Sequence, residues 1–287
     1  MRLVEFWEDA SRHTGVLTES GQVLDLSWLG LADVRGAWGI AADGARRQAV
    51  AVLAAHPPSA GLREAGALRW APPIRPGKIL GVGLNYLRHA EATPLGRPDH
   101  PVWFMRGPHT LVAHGEPLTE PANSQQLDWE GEVAVVVGAE AYRVRAEDVE
   151  QYVVGYTLFN DASVRDYQFR GPQWTLGKNF PGTGACGPWL LTADAMPAEG
   201  IALTTWVNGE KVQAGHTRDL LFGVADLLAD VSAVMPLAPG DVILTGTPGG
   251  VGFTRQPPRF LRPGDICQVD GGGLGILRNP VCKAGEG

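Results

Sequence analysis

A chain of 287 residues with 44% hydrophobic and 19% charged side chains can bury a sizeable core, which excludes intrinsic disorder. Its 24 basic against 31 acidic side chains leave a formal charge of −7 and no basic stripe for neutralising phosphates, so no nucleic-acid partner is expected. The three cysteines, Cys186, Cys267 and Cys282, are scattered and no apolar run reaches the ~20 residues of a bilayer span, so the expectation is reduced thiols, no membrane and a cytoplasmic location.

From the N-terminus, short apolar pieces at 2–7 and 15–18 precede a helical stretch at 45–55, which Pro57-Pro58 closes. Ala71-Pro72-Pro73-Ile74-Arg75-Pro76 reads as a stiff, extended connector. The chain therefore divides into a small N-terminal domain, 1–72, with no visible chemistry, and a larger domain, 73–287. Short apolar runs at 78–83, 133–137 and 151–160 read as strands, the second almost pure valine. Another strand at 201–208 ends in Asn208-Gly209, a hairpin turn pair. Leu220, Leu221, Val224, Leu227, Leu228 and Val231 recur at helical spacing, with Asp219 or Thr217 as the expected N-cap. Runs at 241–245 and 266–269 complete the inventory. Strands outnumber helices without regular alternation, so the expected class is α+β, rich in β, and not doubly wound.

Asp128-Trp129-Glu130-Gly131-Glu132 leads into the valine strand, and strand alternation places Glu130 and Glu132 on one face. The neighbouring strand also ends in acid, at Asn160-Asp161. Carboxylates drawn together beside apolar neighbours repel and lose hydration unless a cation joins them, which suits a hard ion such as Mg²⁺ or Mn²⁺. The alternative is an edge strand with its acids in water. No histidine pair has zinc spacing. Arg165, Gln168 and Lys178 follow Asp161 closely, and Lys178 is one of only four lysines. In its Gly- and Pro-bounded loop it is suited to hold a substrate carboxylate or oxyanion. Later, Thr245-Gly246-Thr247-Pro248-Gly249-Gly250 forms a glycine-rich loop whose amides and Thr247 hydroxyl are suited to an anion. Neither this loop nor Gly81-x-Gly83 has a nucleotide-binding pattern. The nine tryptophans have no role beyond core and pocket packing.

These residues, taken in order, resemble the fumarylacetoacetate hydrolase superfamily. The resemblance begins at Lys78-Ile-Leu-Gly-Val-Gly-Leu-Asn85-Tyr86-Leu-Arg-His89, and runs through Asp128-Trp-Glu130-Gly-Glu132, the 155–161 strand, Arg165-Asp-Tyr-Gln168, Gly177-Lys178 and 239–248 to Gly275-Ile-Leu-Arg-Asn-Pro280. It implies a mixed β-roll catalytic domain and a homodimer. It further implies a divalent cation, Mg²⁺ or Mn²⁺, on Glu130, Glu132 and Asp161, and a small oxo-acid as the partner molecule. By the same resemblance His89 is the catalytic base, Lys178 supports developing negative charge, and Arg165, Gln168 and Thr247 contact substrate.

Three departures mark this chain. The acid that orients the histidine three residues on is replaced by Ala92, leaving Glu91 two residues away to take that role through an irregular or 3₁₀ segment. The family's Lys-Ser-Phe-Asp reads Lys178-Asn179-Phe180-Pro181, and its Phe-x-Lys reads Phe104-Met105-Arg106. The leading expectation is a metal-dependent hydrolase that cleaves a C–C bond in an acylpyruvate-type 1,3-dicarbonyl acid with water activated by His89. The alternatives are an oxo-dicarboxylate tautomerase or decarboxylase on the same scaffold, and a metal-binding protein without turnover.

Overall fold

The computed structural model of the protein describes residues 1–86 and 97–285. The N-terminal stretch supplies β1 (Arg2–Glu8), β2 (Ser11–Leu17), β3 (Gln22–Asp25), β4 (Leu62–Glu64) and β5 (Arg69–Ala71). Its expected helix is present at Gly44–Ala55, where the Asp43 side chain accepts a capping bond from the Arg46 amide at 3.0 Å. A second helix, Ala37–Ala42, precedes it. Then come β6 (Ile79–Gly83), β7 (Val102–Arg106), β8 (Leu111–Ala113), β9 (Leu118–Glu120), β10 (Leu127–Asp128), β11 (Gly131–Val137), β12 (Val153–Asp161), β13 (Ser163–Val164) and β14 (Gly184–Thr192). The C-terminal part adds β15 (Ala202–Val207), β16 (Glu210–His216), β17 (Val242–Leu244), β18 (Ile266–Asp270) and β19 (Ile276–Lys283).

Most of these strands join one mixed sheet in the order β4-β3-β2-β1-β14-β12-β11-β17-β6-β7, with β5 beside β1 and β8 beside β14. A five-stranded sheet, β16-β15-β18-β19-β9, and the pair β10-β13 complete the fold. This is the sheet-rich α+β class expected from the sequence. Asn208 and Gly209 both take positive φ, 52° and 81°, and turn β15 into β16 as a hairpin. Among the described residues no helix is long and apolar enough to cross a membrane.

Residues 1–72 extend the main sheet. β1 pairs antiparallel with β14, and Leu3, Val16 and Leu24 share a core with Ala134, Val136, Phe159 and Leu244. The valine strand β11 lies at the centre of the sheet and is buried along its whole length. Its alternating side chains feed different cores: Ala134 and Val136 enter the one just named, while Val135 and Val137 pack with Leu227, Leu228 and Val231 of the helix Val224–Val234. That helix begins later than its apolar spacing suggests. Neither Thr217 nor Asp219 is its N-cap; Gly223 is, its amide donating to Asp226 at 2.9 Å. The physical reason is the buried Asn85. Its backbone carbonyl accepts from the Leu221 amide at 2.8 Å and its side-chain oxygen from the Phe222 amide at 2.9 Å, so those two residues stay out of the helix.

Candidate metal centre

The register of β11 on β12 assembles the acids. Gly131 lies opposite Asn160 and Glu132 opposite Phe159, so Glu130 meets Asp161 one step further, where the Asp161 amide donates to the Glu130 carbonyl at 2.8 Å. Directly opposed residues share a face, as do residues two apart on one strand. Glu130, Glu132 and Asp161 thus converge, with one ligand oxygen from each within 4.8 Å of the others. All three are buried and β11 is central, which overturns the edge-strand alternative. Buried carboxylates so close together could hold a metal ion.

Three buried cations attend them. Lys178 Nζ donates to Glu130 Oε2 at 2.8 Å and to Asp161 Oδ2 at 2.5 Å. Arg165 pairs through Nε with Asp128 Oδ2 at 2.8 Å and through Nη1 with Glu130 Oε1 at 2.6 Å, and Nη1 also donates to Gln168 at 2.7 Å. Arg106 Nε donates to Asp161 Oδ1 at 2.7 Å, while its two other nitrogens bind Thr183 Oγ1 and the Ala162 carbonyl. Among the described residues, the buried carboxylates Asp128, Glu130, Glu132 and Asp161 therefore outnumber the buried cations Arg106, Arg165 and Lys178 by one. The deficit falls on Glu132. Burial first, then the charges of Asp161 and Glu130, push its carboxyl well above the usual range. An additional cation would relieve that strain, so the donor set fits a hard divalent ion.

Beside the acids lies a cavity of about 300 Å³. Glu130, Glu132, Arg165, Gln168, Lys178 and Thr247 all line it, so the structure gathers these six sequence-derived residues in one place. Their jobs differ in part from those expected. Lys178 is engaged by the carboxylates of the centre itself. The glycine-rich loop also serves the chain's own acid: the Gly246 amide donates to Glu132 Oε2 at 2.7 Å. Gly246 has φ +97°, and a Cβ there would come within 2.9 Å of Asn85 Cβ, so only glycine fits that bend. Thr247 Oγ1 donates to the Gly131 carbonyl at 2.9 Å and accepts from Gln213 at 2.8 Å. His89 and Glu91 lie outside the described residues.

Two members of the centre were not read as functional from the sequence. Asp128 holds Arg165 and is itself fixed by the amides of Trp129, Gly252 and Phe253. Its position two residues before Glu130 was a usable signal. In the sequence Arg106 stands out only as a departure from Phe-x-Lys, yet it is fully buried on the acid that closes the triad. The cavity's aromatic wall, Phe104, Phe169, Trp174 and Phe253, comes from separate parts of the chain and has no local signature.

A central strand bearing a buried Glu-x-Glu pair, closed by an Asp from its neighbour, defines a candidate metal site at the end of a mixed β-roll. The family model for the fumarylacetoacetate hydrolase C-terminal domain matches residues 78–282, and the chain belongs to that family. Oxaloacetate tautomerase Fahd2a, mitochondrial, of Rattus norvegicus is 41% identical over 213 residues, 74% of this chain and 68% of that protein. Among solved structures, a fumarylacetoacetate hydrolase from Exiguobacterium antarcticum superposes with a TM-score of 0.83 at 30% identity, covering 99% of both chains. A 5-carboxymethyl-2-hydroxymuconate delta-isomerase from Mycobacterium smegmatis gives 0.78 at 29% identity, over 99% of this chain and 100% of that one.

Proposed function

We propose that this protein is a divalent-metal-dependent tautomerase of 2-oxo acids, interconverting their keto and enol forms at the Glu130–Glu132–Asp161 centre. The observation that carries the reading is the buried surplus of negative charge facing a cavity that two cations also line. The tautomerase and isomerase names of the rat and mycobacterial relatives support it over hydrolysis.

Glu130, Glu132 and Asp161 would hold Mg²⁺ or Mn²⁺, which share these ligand preferences. The ion, when bound, would act as a Lewis acid that lowers the cost of negative charge on the substrate's carbonyl oxygen. The remaining work falls to the chain. Arg165 lines the cavity beside Glu130 and brings a fixed positive charge to where a substrate carboxylate would sit. Lys178 supplies a fixed positive charge where the oxyanion grows, and its two carboxylate bonds keep it from swinging away. Tautomerisation removes a proton from the carbon beside the carbonyl and returns one to the carbonyl oxygen. His89 is the proposed carrier of that proton and Glu91 its proposed orienting acid. Gln168 holds Arg165 Nη1, and Thr247 closes the wall beside Glu132.

Hydrolytic C–C cleavage of an acylpyruvate is kept as a second reading, because the Exiguobacterium structure that covers the chain end to end is a fumarylacetoacetate hydrolase. Enol absorbance separates the two. With Mg²⁺, oxaloacetate keto–enol exchange should accelerate, should stop with EDTA and should fall in Lys178→Ala. Loss of acylpyruvate enol absorbance without oxaloacetate exchange would replace this reading with the hydrolytic one. Metal binding without either signal would leave a binding protein. A homodimer, implied by the family resemblance, belongs to the proposal and is checked by light scattering. The three free thiols support a reducing compartment, which suits the cytoplasm and equally the mitochondrial location in the rat relative's name.

A further inference from the structure

We infer that the cavity selects 2-oxo acids with one carboxylate and an apolar, preferably aromatic, tail over small dicarboxylates such as oxaloacetate. The inference rests on the reading above, in which the acidic centre takes the oxo-acid head.

The cavity's lining is of two kinds. At the head lie Glu130 and Glu132 with Arg165 and Lys178. Both cations are already committed to carboxylates of the protein, so they bring little unspent charge to the cavity. Such a head suits a single substrate carboxylate. The rest of the wall is Val82, Leu84, Phe169 and Trp174 with the rings of Phe104 and Phe253, which lie against Lys178 and Arg165 at 4.7 and 4.4 Å; Gln168 and Thr247 are its polar side chains, and no further cation lines it among the described residues. A second carboxylate placed against that wall would lose its water without gaining a further cation, an expensive transfer for a charge. An aryl or alkyl group in the same place is stabilised by burial.

The aromatic wall is built into the backbone. Phe104 and Trp174 have ring centroids 6.0 Å apart, and Phe169 and Phe253 are 5.4 Å apart. Two glycines of β6 lie beneath the first pair. A Cβ at Gly81 would come within 2.1 Å of Phe104 Cζ, and one at Gly83 within 2.0 Å of Trp174 Cζ3. The Gly81-Val82-Gly83 stretch thus works as a bed for two rings, a purpose distinct from nucleotide binding. Trp174 also begins the turn that ends in Lys178, Thr175–Lys178, so the wall and the head are joined by one short element. Phe104 and Arg106 are two apart on β7, and both point inward.

Two inert ligands with the same oxamate head test this directly: N-phenyloxamate, with an aryl tail, and N-oxalylglycine, with a carboxylate tail. Calorimetric titration of the Mn²⁺-loaded protein should show N-phenyloxamate binding at least about tenfold more tightly, the effect of burying one ring. Trp174→Ala should shrink that ratio to about threefold or less, and Trp174→Phe should restore most of it, while Mn²⁺ affinity stays unchanged in both. Equal or tighter binding of N-oxalylglycine overturns the inference, as does a ratio that Trp174→Ala leaves intact. Oxaloacetate exchange accompanied by either result leaves the tautomerase reading standing without the tail preference. Selective N-phenyloxamate binding without exchange of oxaloacetate or phenylpyruvate supports the ligand class and removes the tautomerase reading. Failure of the Mn²⁺-loaded protein to bind either ligand overturns both.

Discussion

Two clusters among the described residues offer three metal-type ligand atoms within 4.8 Å of one another: Glu130, Glu132 and Asp161 in the centre, and Glu8, His13 and Asp25 in the N-terminal region. Each has one more carboxylate than fixed cation among the described residues, and they differ in access to water. In the N-terminal cluster Arg63 donates to Glu8 at 3.0 Å and to Asp25 at 3.3 Å, and His13 Nδ1 lies 3.0 Å from Asp25. The Glu8 side chain is 43% exposed. Water and one arginine settle that cluster without an ion. At the centre the carboxylates are buried and, among the described residues, remain one charge ahead of their cations, so desolvation makes the next cation valuable. Proximity of ligand groups alone does not define a metal site; an unbalanced buried charge does.

The largest expected effect breaks the centre. Glu132→Gln and Asp161→Asn should each weaken Mn²⁺ binding by more than about 100-fold, beyond the 10–100-fold typical of residues that merely orient ligands. Both should abolish exchange activity. His13→Ala should leave the stoichiometry at one ion per chain. Metal analysis after dialysis reads all three, and a loss of the ion in His13→Ala would reverse the comparison.

Next in size is Arg106. Arg106→Met leaves Asp161 Oδ1 without its buried cation, with Lys178 still on Oδ2, and should cost about 3 kcal/mol of stability in the metal-free protein, read by urea unfolding. Arg106→Lys keeps the charge but cannot reproduce the fork that reaches Thr183 and the Ala162 carbonyl, and should cost about 1–3 kcal/mol. Equal stability of the methionine variant and the wild type would show that the ion pair contributes nothing net.

These two tests also divide what was legible in the sequence from what was not. The Glu130–Glu132–Asp161 arrangement follows from a period of two along one strand and an acid at the end of its neighbour, both local patterns. The residues that balance it do not share an element: Arg106 reaches Asp161 across 55 positions and Lys178 reaches Glu130 across 48. Lys178 was recognised for its rarity, but a cation's partner is set by tertiary contact, so its bonds to the acids could not be read. The late start of the helix Val224–Val234 has the same origin, because Asn85 captures the Phe222 amide from 137 residues away. Helical periodicity described the buried face correctly and was silent about the cap. The aromatic wall was invisible for the same reason, since glycines 81 and 83 reveal their purpose only once Phe104 and Trp174 lie on them.

A smaller effect comes from a neutral buried group behind the centre. Asn160 accepts the Glu130 amide through Oδ1 at 2.9 Å and donates through Nδ2 to Cys267 Sγ at 3.3 Å. Burial pushes the Cys267 thiol up to about 12 and also raises Cys186. A raised thiol favours the fold while the unfolded thiol is protonated, so this stability is intact below about pH 8.5 and is lost as pH climbs toward the folded value. The loss should be about 1.4 kcal/mol per pH unit for each such thiol over that window, read by denaturant titration at pH 9 and 10. Cys267→Ala should reduce the slope by one thiol's share. An unchanged slope would mean that this thiol ionises in the fold as freely as outside it. Iodoacetamide should label Cys282, which is partly accessible, well before the two buried thiols.

The smallest expected effect is the sharpest check on the comparison, because it asks whether the N-terminal cluster is as settled as its charges indicate. Arg63→Gln removes the cation that Glu8 and Asp25 share, while Asp25 keeps the Ser27 and Trp28 amides on Oδ1 and His13 on Oδ2. With Glu8 open to water, the loss should be about 1 kcal/mol or less, and salt should reduce it further. If charge balance alone governs metal binding, Arg63→Gln should also give this cluster a weak site for Mn²⁺ or Zn²⁺, because its two carboxylates would then face no fixed cation. If burial is required as well, the variant should bind no second ion, since water still solvates Glu8. Comparing metal stoichiometry in Arg63→Gln with that of the wild type therefore separates the two ingredients that coincide at the centre, charge surplus and desolvation. The 43% exposure of Glu8 favours the second outcome: one ion per chain in both proteins.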